Sequence, residues 1–367
     1  MKNNIALLLC SVFISLLIAE LILRALNYEK TTHSALSGFH QYDKELGWTL
    51  IPNFESNFTH RDFTVKIKAN SRGFRDEEYD YQKPISKKRI VGLGDSFTWG
   101  WGVEKNEIYL EIAESLNSGI EILNMGHNGY GTGQEYLYFK KFGEKYSPDL
   151  VTIAFYENDV PNNATRRGPV FDIVNDELIL TIIPMDHSLE DRIKTFLVKY
   201  SHIFALINYG NQVIKEKINS FERITIFEKK GKSRILPRYR RNVDEEMEEK
   251  WKIVERILLE LYRASNKKLL VIYIPGRIQI EKDRKIFEAY YADVENYDFD
   301  YPNKRLQRFT EQSGIYYLDL VEPFRKEYKN NKELYFEHDG HWSKYGHRLA
   351  GEMLAKKLKE IFNSDVN

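Results

Sequence analysis

Apolar positions along the chain form one long N-terminal run and then a series of short, regularly separated ones. The first run is unbroken from Ile5 to Ala19 and continues past Glu20 through Leu21-Ile22-Leu23 to Leu26. It is apolar on every face and just long enough to cross a bilayer, with Glu20 and Arg24 four apart on one helix face near its far end. The pattern predicts a signal anchor over residues 1–26. A cleavable signal peptide is the rival reading, but no small-x-small site follows the apolar core. Lipid attachment at Cys10 is disfavoured because Leu9 stands where a small residue belongs. A buried helix of a globular domain is disfavoured by the all-round apolarity.

Residues 27–88 are a polar, aromatic-rich lead-in. Its alternating piece Phe63-Thr64-Val65-Lys66-Ile67-Lys68 predicts a small β element, and Asn70–Arg75 a loop. From Arg89 the pattern becomes regular. The runs Ile90–Leu93, Ile120–Leu123, Leu150–Phe155, Leu269–Ile274 and Ile315–Leu318 read as five buried strands. Helical patterns lie between them at Glu107–Leu116, Gln134–Lys145, Glu245–Ala264, Ile280–Tyr291 and Asn303–Gln312, and Lys344–Phe362 closes the chain. This alternation predicts an α/β domain over 89–367, a parallel sheet covered on both faces.

Residues 161–243 break the rhythm, being far longer than an ordinary connection. They read as an inserted cap or subdomain with a hairpin at Asp172–Ile183, an amphipathic stretch at Arg192–Ile218, and a basic run of Lys229, Lys230, Lys232, Arg234, Arg238, Arg240 and Arg241. The basic run reads first as a solvated loop; contact with anionic headgroups or an acidic polysaccharide is the sharper option.

Composition narrows the classes. Lys+Arg and Asp+Glu balance at 54 each in 367 residues, so no global field points to nucleic acid. The single cysteine lies in the N-terminal run, leaving the folded part without disulfides or thiolate metal sites.

The chemistry gathers at strand ends, where a parallel sheet collects its functional groups. Four pieces qualify: Gly94-Asp95-Ser96 after the first strand, Asn124–Gly129 after the second, Tyr156–Asp159 after the third, and His338-Asp339-Gly340-His341-Trp342 before the last helix. A serine hydroxyl needs a base within hydrogen-bond reach, for which His341 is the candidate, and Asp339 can hold the imidazole through a tight Asp-Gly-His turn. The Ser96 amide, the Gly129 amide and the Asn158 side chain are the right kinds of donor for an oxyanion. Singly, each has an ordinary reading. Ser96 can follow a helix cap, Gly126, Gly131 and Gly133 compete with Gly129 as turn glycines, Asn158 can cap a helix, Asp339 can form a turn, and His341 can be a surface histidine. Four in this order are hard to explain as accident. Nothing calls for a metal: His338, Asp339 and His341 lack a further ligand pair at metal spacing. Gly92-x-Gly94 is no dinucleotide fingerprint, since no third glycine follows at the required spacing.

From Arg89 to the C-terminus, the insertion apart, the chain resembles the SGNH hydrolases of the GDSL esterase and lipase superfamily. The resemblance implies Ser96 as nucleophile, Gly129 and Asn158 with Ser96 as oxyanion donors, His341 as base, no cofactor, and a three-layer α/β/α sandwich around a five-stranded parallel sheet. Two positions depart from the family pattern. Glu157 stands where glycine usually precedes the Asn-Asp pair, and His338, not an acid, stands three residues before His341, with Asp339 only two before. That Asp-x-His-Trp spacing is similar to a membrane-associated branch that acetylates or deacetylates extracellular polysaccharides. The expectation is a serine esterase or acyltransferase on an acylated carbohydrate or other small ester. It would be membrane-anchored by a single pass, with its catalytic domain periplasmic or extracellular. A lipase or thioesterase on longer chains, or a non-catalytic polysaccharide-binding or assembly protein on the same fold, are the alternatives.

Overall fold

The computed structural model describes residues 2–26, 28, 31–32, 39–163, 168–182, 193, 196–197, 200–211, 214, 239–281, 296–330 and 332–364. The apolar run forms one helix, α1 (Lys2–Ala25), whose segment Asn4–Ala25 is long and apolar enough to cross a membrane. The lead-in contains two antiparallel pairs. One joins β1 (His40–Asp43) to β2 (Gly47–Leu50), the other β3 (Glu55–Thr59) to β4 (Thr64–Lys68), and Thr31–Thr32 pairs in parallel with the free side of β3. The alternation at 63–68 is therefore a strand, with Val65 and Ile67 buried and Thr64, Lys66 and Lys68 outside.

The five apolar runs form one parallel sheet from β5 (Lys88–Gly94), β6 (Ile120–Asn124), β7 (Leu150–Phe155), β10 (Leu269–Tyr273) and β11 (Tyr316–Asp319), in the order β11-β10-β7-β5-β6. Ile90 pairs with Ile122 on one side and Leu150 on the other, so β5 is an interior strand and buried throughout after its first residue. The hairpin β8 (Val170–Val174) and β9 (Glu177–Ile182) lies in the insertion, turning through Asn175 and Asp176, both at positive φ.

Helices cover both faces. On one, α3 (Tyr109–Ser115) packs on the final helix α10 (Lys344–Ser364). On the other, α4 (Thr132–Lys141) packs on α6 (Glu245–Ala264), and Arg305 of α8 (Tyr301–Ser313) reaches Glu248 and Glu255 of α6 at 2.5–2.9 Å. Helix α6 begins where Asp244 accepts from the Met247 amide. It buries Met247, Trp251, Val254, Leu258 and Leu261, a spacing of one helical face. This is the three-layer SGNH α/β fold that the sequence predicts.

Boundaries differ in instructive places. The helix predicted from Glu107 begins at Tyr109 behind a 3-10 turn at Lys105–Glu107, and the one predicted to Lys145 ends at Lys141. Helix α9 (Val321–Lys329) has no counterpart in the sequence reading, and it carries Pro323. In the first turn proline removes only an amide that has no helical partner, and Asp319 caps the turn by accepting from Val321 at 2.8 Å. Of the helix expected at Ile280–Tyr291, only the start is described, within α7 (Arg277–Glu281). Of the amphipathic stretch, residues 202–211 are helical, and of the basic run only Arg240 and Arg241 lie within the described residues.

The strand order sets the site. The chain runs from β5 outward to β6 and then returns past it to β7, so the crevice at the carboxyl ends of β5 and β7 is the topological switch point. The loop after β6 is drawn against the β5 turn: the His127 amide donates to Gly94 O at 2.8 Å and Asn124 Nδ2 to Thr98 O at 2.9 Å. Gly126 makes that approach sterically allowed, because a Cβ there would lie 2.5 Å from Trp99 N and 2.6 Å from Thr98 C, both backbone atoms. Gly126→Ala is expected to destabilise the protein by about 1–3 kcal/mol or more. Gly119→Ala, facing open space, should stay within about 0.5 kcal/mol of the parent in urea denaturation.

Candidate active site

Ser96 opens a four-residue helix, α2 (Ser96–Trp99), directly after β5. Asp95 is its N-cap and accepts from the Phe97 amide at 3.0 Å, and Gly100 ends it in the left-handed conformation. Gly94 is required at the turn, since a Cβ there would sit 2.0 Å from Thr98 Oγ1 and 3.0 Å from the Ala154 Cβ. The sharp turn leaves Ser96 at the crevice.

His341 arrives 245 positions later in sequence, and its Nε2 lies 2.7 Å from Ser96 Oγ. Its loop is closed by a Tyr335–Trp342 bridge and by the Phe336 amide donating to His341 O at 3.0 Å. Beneath, Tyr335 Oη donates to Pro275 O at 2.8 Å and Arg277 Nη1 donates to Phe336 O and Glu337 O, fixing the loop beyond the end of β10. Trp342 is fully buried against Phe97 and Phe324. The histidine thus has an immobile neighbour on its own chain.

Asp339 folds back as the Asp-Gly-His turn predicts. Its Oδ1 accepts from the His341 amide at 2.8 Å and meets His341 Nδ1 in a short contact. Trp101 Nε1 donates to the other oxygen at 3.1 Å, while the indole ring stacks on the imidazole with centroids 5.0 Å apart. Burial works against the charge of Asp339, but the bonds and charge of His341 outweigh it and hold the carboxyl down at about 2. Serine, imidazole and carboxylate therefore form a continuous chain in which a proton leaving Ser96 has an oriented acceptor.

The three expected donors follow the carboxyl ends of three neighbouring strands, β5, β6 and β7. Neither the Ser96 amide nor the Gly129 amide finds an acceptor among the described residues. Gly129 adopts φ 78°, and Trp48 braces the peptide before it by donating from Nε1 to Asn128 O at 3.1 Å. Asn158, just before the one-turn helix α5 (Asp159–Asn162), donates from Nδ2 to Asp95 Oδ2 at 3.5 Å, the residue that precedes the serine. Gly126 and Gly133 serve close packing instead, since Cβ atoms there would strike α2 and Phe171.

Behind the serine the interior is rich in buried carboxyls. Burial pushes Asp95 up to about 6, against the pull of the Phe97 amide, the His341 charge and the Asn158 amide. Burial, together with the like charge of Asp95, holds Glu135 and Asp159 well above the ordinary carboxylate range. His127, buried and stacked on Tyr130 at 4.2 Å, is driven down to about 3 by desolvation and stays neutral. The two departures from family pattern also have places. Glu157 is buried with Oε2 3.4 Å from where a Gly276 side chain would begin, on the β10 side of the crevice. His338 is held by the lead-in: its amide donates to Asp62 Oδ2 at 3.0 Å and its Nδ1 lies 2.6 Å from Asp62 Oδ1.

Sequence reasoning missed the supporting residues. Trp101 sits five residues after Ser96 and could have been noticed there; Asp62 and Trp48 carry no local signal, because their contacts span 276 and 80 positions.

Residues 237–365 match the family described as an SGNH hydrolase-like domain, acetyltransferase AlgX, a span that includes Asp339 and His341. None of the curated proteins compared with the chain matches it. Among solved structures, the chain is similar to a lipolytic protein of the G-D-S-L family from Veillonella parvula (11% identity, 73% of this chain and 97% of that one, TM-score 0.39). It is also similar to a lipase/acylhydrolase from Enterococcus faecalis (14%, 74% and 96%, TM-score 0.40). A catalytic mutant of an acetylxylan esterase from Geobacillus stearothermophilus is a third (14%, 75% and 95%, TM-score 0.41). The SGNH resemblance read from the sequence is borne out, and an ester-acting enzyme, esterase or acyltransferase, is the class it supports.

The depressed Asp339 carboxyl makes a pH prediction. Because its folded pKa lies below the ordinary value of 3.8, it stabilises the fold fully above about pH 4 and loses that contribution as pH falls toward about 2. Asp339→Asn should be less stable than the parent at neutral pH in denaturant titrations, and the gap should narrow between about pH 4 and 2. A gap that is flat across that range would refute the assignment.

Proposed function

We propose that the protein is a serine esterase or acyltransferase that works through an acyl-enzyme on Ser96 and acts on O-acetyl groups of carbohydrate outside the cytoplasm. The observation that carries this reading is the 2.7 Å contact of Ser96 Oγ with His341 Nε2, with Asp339 on the opposite ring nitrogen. In the first half-reaction His341 takes the serine proton as Oγ attacks the carbonyl carbon. The negative oxygen that forms is met by the Ser96 and Gly129 amides and by Asn158 Nδ2. Collapse breaks the bond to the alcohol, which leaves with the proton from His341. In the second half-reaction His341 removes a proton from the incoming hydroxyl, which attacks the acyl carbon and restores free Ser96.

Hydrolysis and transfer differ only in whether that hydroxyl belongs to water or to a sugar. The match of residues 237–365 to a domain described as an acetyltransferase supports the sugar as a second acceptor. Helix α1, long and apolar enough to cross a membrane, supports a single-pass anchor.

Incubation of the full chain with a fluorescent phosphonate and with p-nitrophenyl acetate tests the chemistry. Labelling and acetate release are expected for the parent and should vanish in Ser96→Ala and His341→Ala. Asn158→Ala should keep the label and lose about 10²–10³-fold in kcat, the usual effect of removing one oxyanion donor. A folded parent that neither labels nor turns over would move the assignment to a carbohydrate-binding protein.

A further inference from the structure

Glu20 is a carboxylate in an otherwise apolar helix, and such a group is costly there unless its oxygens are satisfied. They are satisfied by the insertion. Oε1 accepts from the His202 amide at 3.1 Å and from Arg24 Nε at 2.9 Å, and Oε2 accepts from the Ile203 amide at 3.0 Å and Ser201 Oγ at 2.9 Å. Arg24 Nη2 donates to Tyr200 O at 2.7 Å. The amides of Phe204 and Ala205 go to Ser201 Oγ and Ser201 O, so every orphan donor at the start of helix 202–211 has a partner. The insertion is therefore tied to α1 across about 180 positions of sequence.

The tie fixes a depth. Segment Asn4–Ala25 of α1 is 22 residues, about 33 Å at 1.5 Å per residue, against a hydrocarbon thickness of about 30 Å. Glu20 lies five residues, about 7.5 Å, before the end of that helix, which sets helix 202–211 at the boundary of hydrocarbon and headgroups. At that level the insertion exposes large apolar side chains. Ile193, Phe196 and Tyr200 recur at helical spacing before Ser201, and Leu206, Ile207 and Ile214 follow it, all turned to solvent, while Ala205 and Asn208 face inward. An apolar stripe of this kind, held beside the end of a membrane helix, fits the acyl-headgroup boundary of the bilayer that α1 crosses.

We infer that Ile193, Phe196, Tyr200, Leu206, Ile207 and Ile214 form an in-plane membrane contact, locked to the anchor by Glu20 and Arg24. The inference rests on α1 being a membrane span. A span alone leaves the body free to swivel about the connecting chain, and this second contact removes that freedom, holding the body in one orientation to the bilayer.

The test uses the full chain with Cys10→Ser, reconstituted in phosphatidylcholine vesicles, with bimane on Leu16→Cys, Ile207→Cys or Ile85→Cys. Nitroxides are placed on the lipid headgroup or mid-chain. The Leu16 label should be quenched by the deep nitroxide, the Ile207 label by the shallow one, and the label at exposed Ile85 by neither. Adding Glu20→Leu should leave quenching at Leu16 intact and drop that at Ile207 to the Ile85 level. Quenching at Leu16 with none at Ile207 would overturn the in-plane contact while leaving the anchor, and persistence at Ile207 in Glu20→Leu would overturn the lock. An unquenched Leu16 label would remove the span, and this inference with it.

Discussion

The serine turn depends on a cation that lies outside the α/β domain's own sequence pattern. Helix α2 lasts four residues, and the carbonyls that follow it turn into the interior. Arg75, from the lead-in, collects them: Nη1 donates to Trp99 O and Gly100 O at 3.1 and 2.5 Å, and Nη2 to Val103 O and Lys66 O at 2.7 and 3.2 Å. Burial lowers its pKa to about 10, opposed by the charges of Glu104 and Glu111, so the guanidinium remains charged at neutral pH. A buried cation of this kind is tolerated because both terminal nitrogens are used, Nε alone having no partner among the described residues, and the same bonds make the lead-in part of the site.

Desolvation organises the electrostatics around Ser96. Burial pushes Glu135 and Asp159 toward their neutral forms, whereas Asp339 keeps its charge because the bonds and charge of His341 outweigh burial. Carboxyls a few residues from the same crevice are thus divided into neutral and ionised groups by environment alone. The ionised one lies where a developing imidazolium would need it.

The two segments that interrupt or precede the α/β rhythm do different things. The lead-in props the site through Trp48 at the Gly129 loop, Asp62 at His338 and Arg75 beneath α2. The insertion instead ties back to α1 through Glu20, at a position where an acid in an apolar run had no reading from sequence beyond its i,i+4 partner Arg24. Neither role has a local signature, since each depends on one side chain meeting backbone atoms from a distant part of the chain.

By itself the sequence determined what periodicity and local chemistry determine. Five apolar runs dictated five strands, four of them buried and the edge strand β11 half-buried, the Gly94-Asp95-Ser96 turn dictated where a hydroxyl would emerge, and Asp339-Gly340-His341 dictated a carboxylate folded onto an imidazole. These are short-range consequences of side-chain volume, backbone freedom and hydrogen-bond geometry. Helix α9 accommodates Pro323 because the proline falls in its first turn, a place decided by where the folded helix begins. Tertiary structure alone decided which strands became neighbours, and hence that Ser96 and His341 meet. It also decided that Asp62 takes His338 and that Glu157 lies on the β10 side of the crevice. Those pairings are set by the order in which strands enter the sheet and by which buried polar groups must find partners, and neither is written in any one stretch of chain.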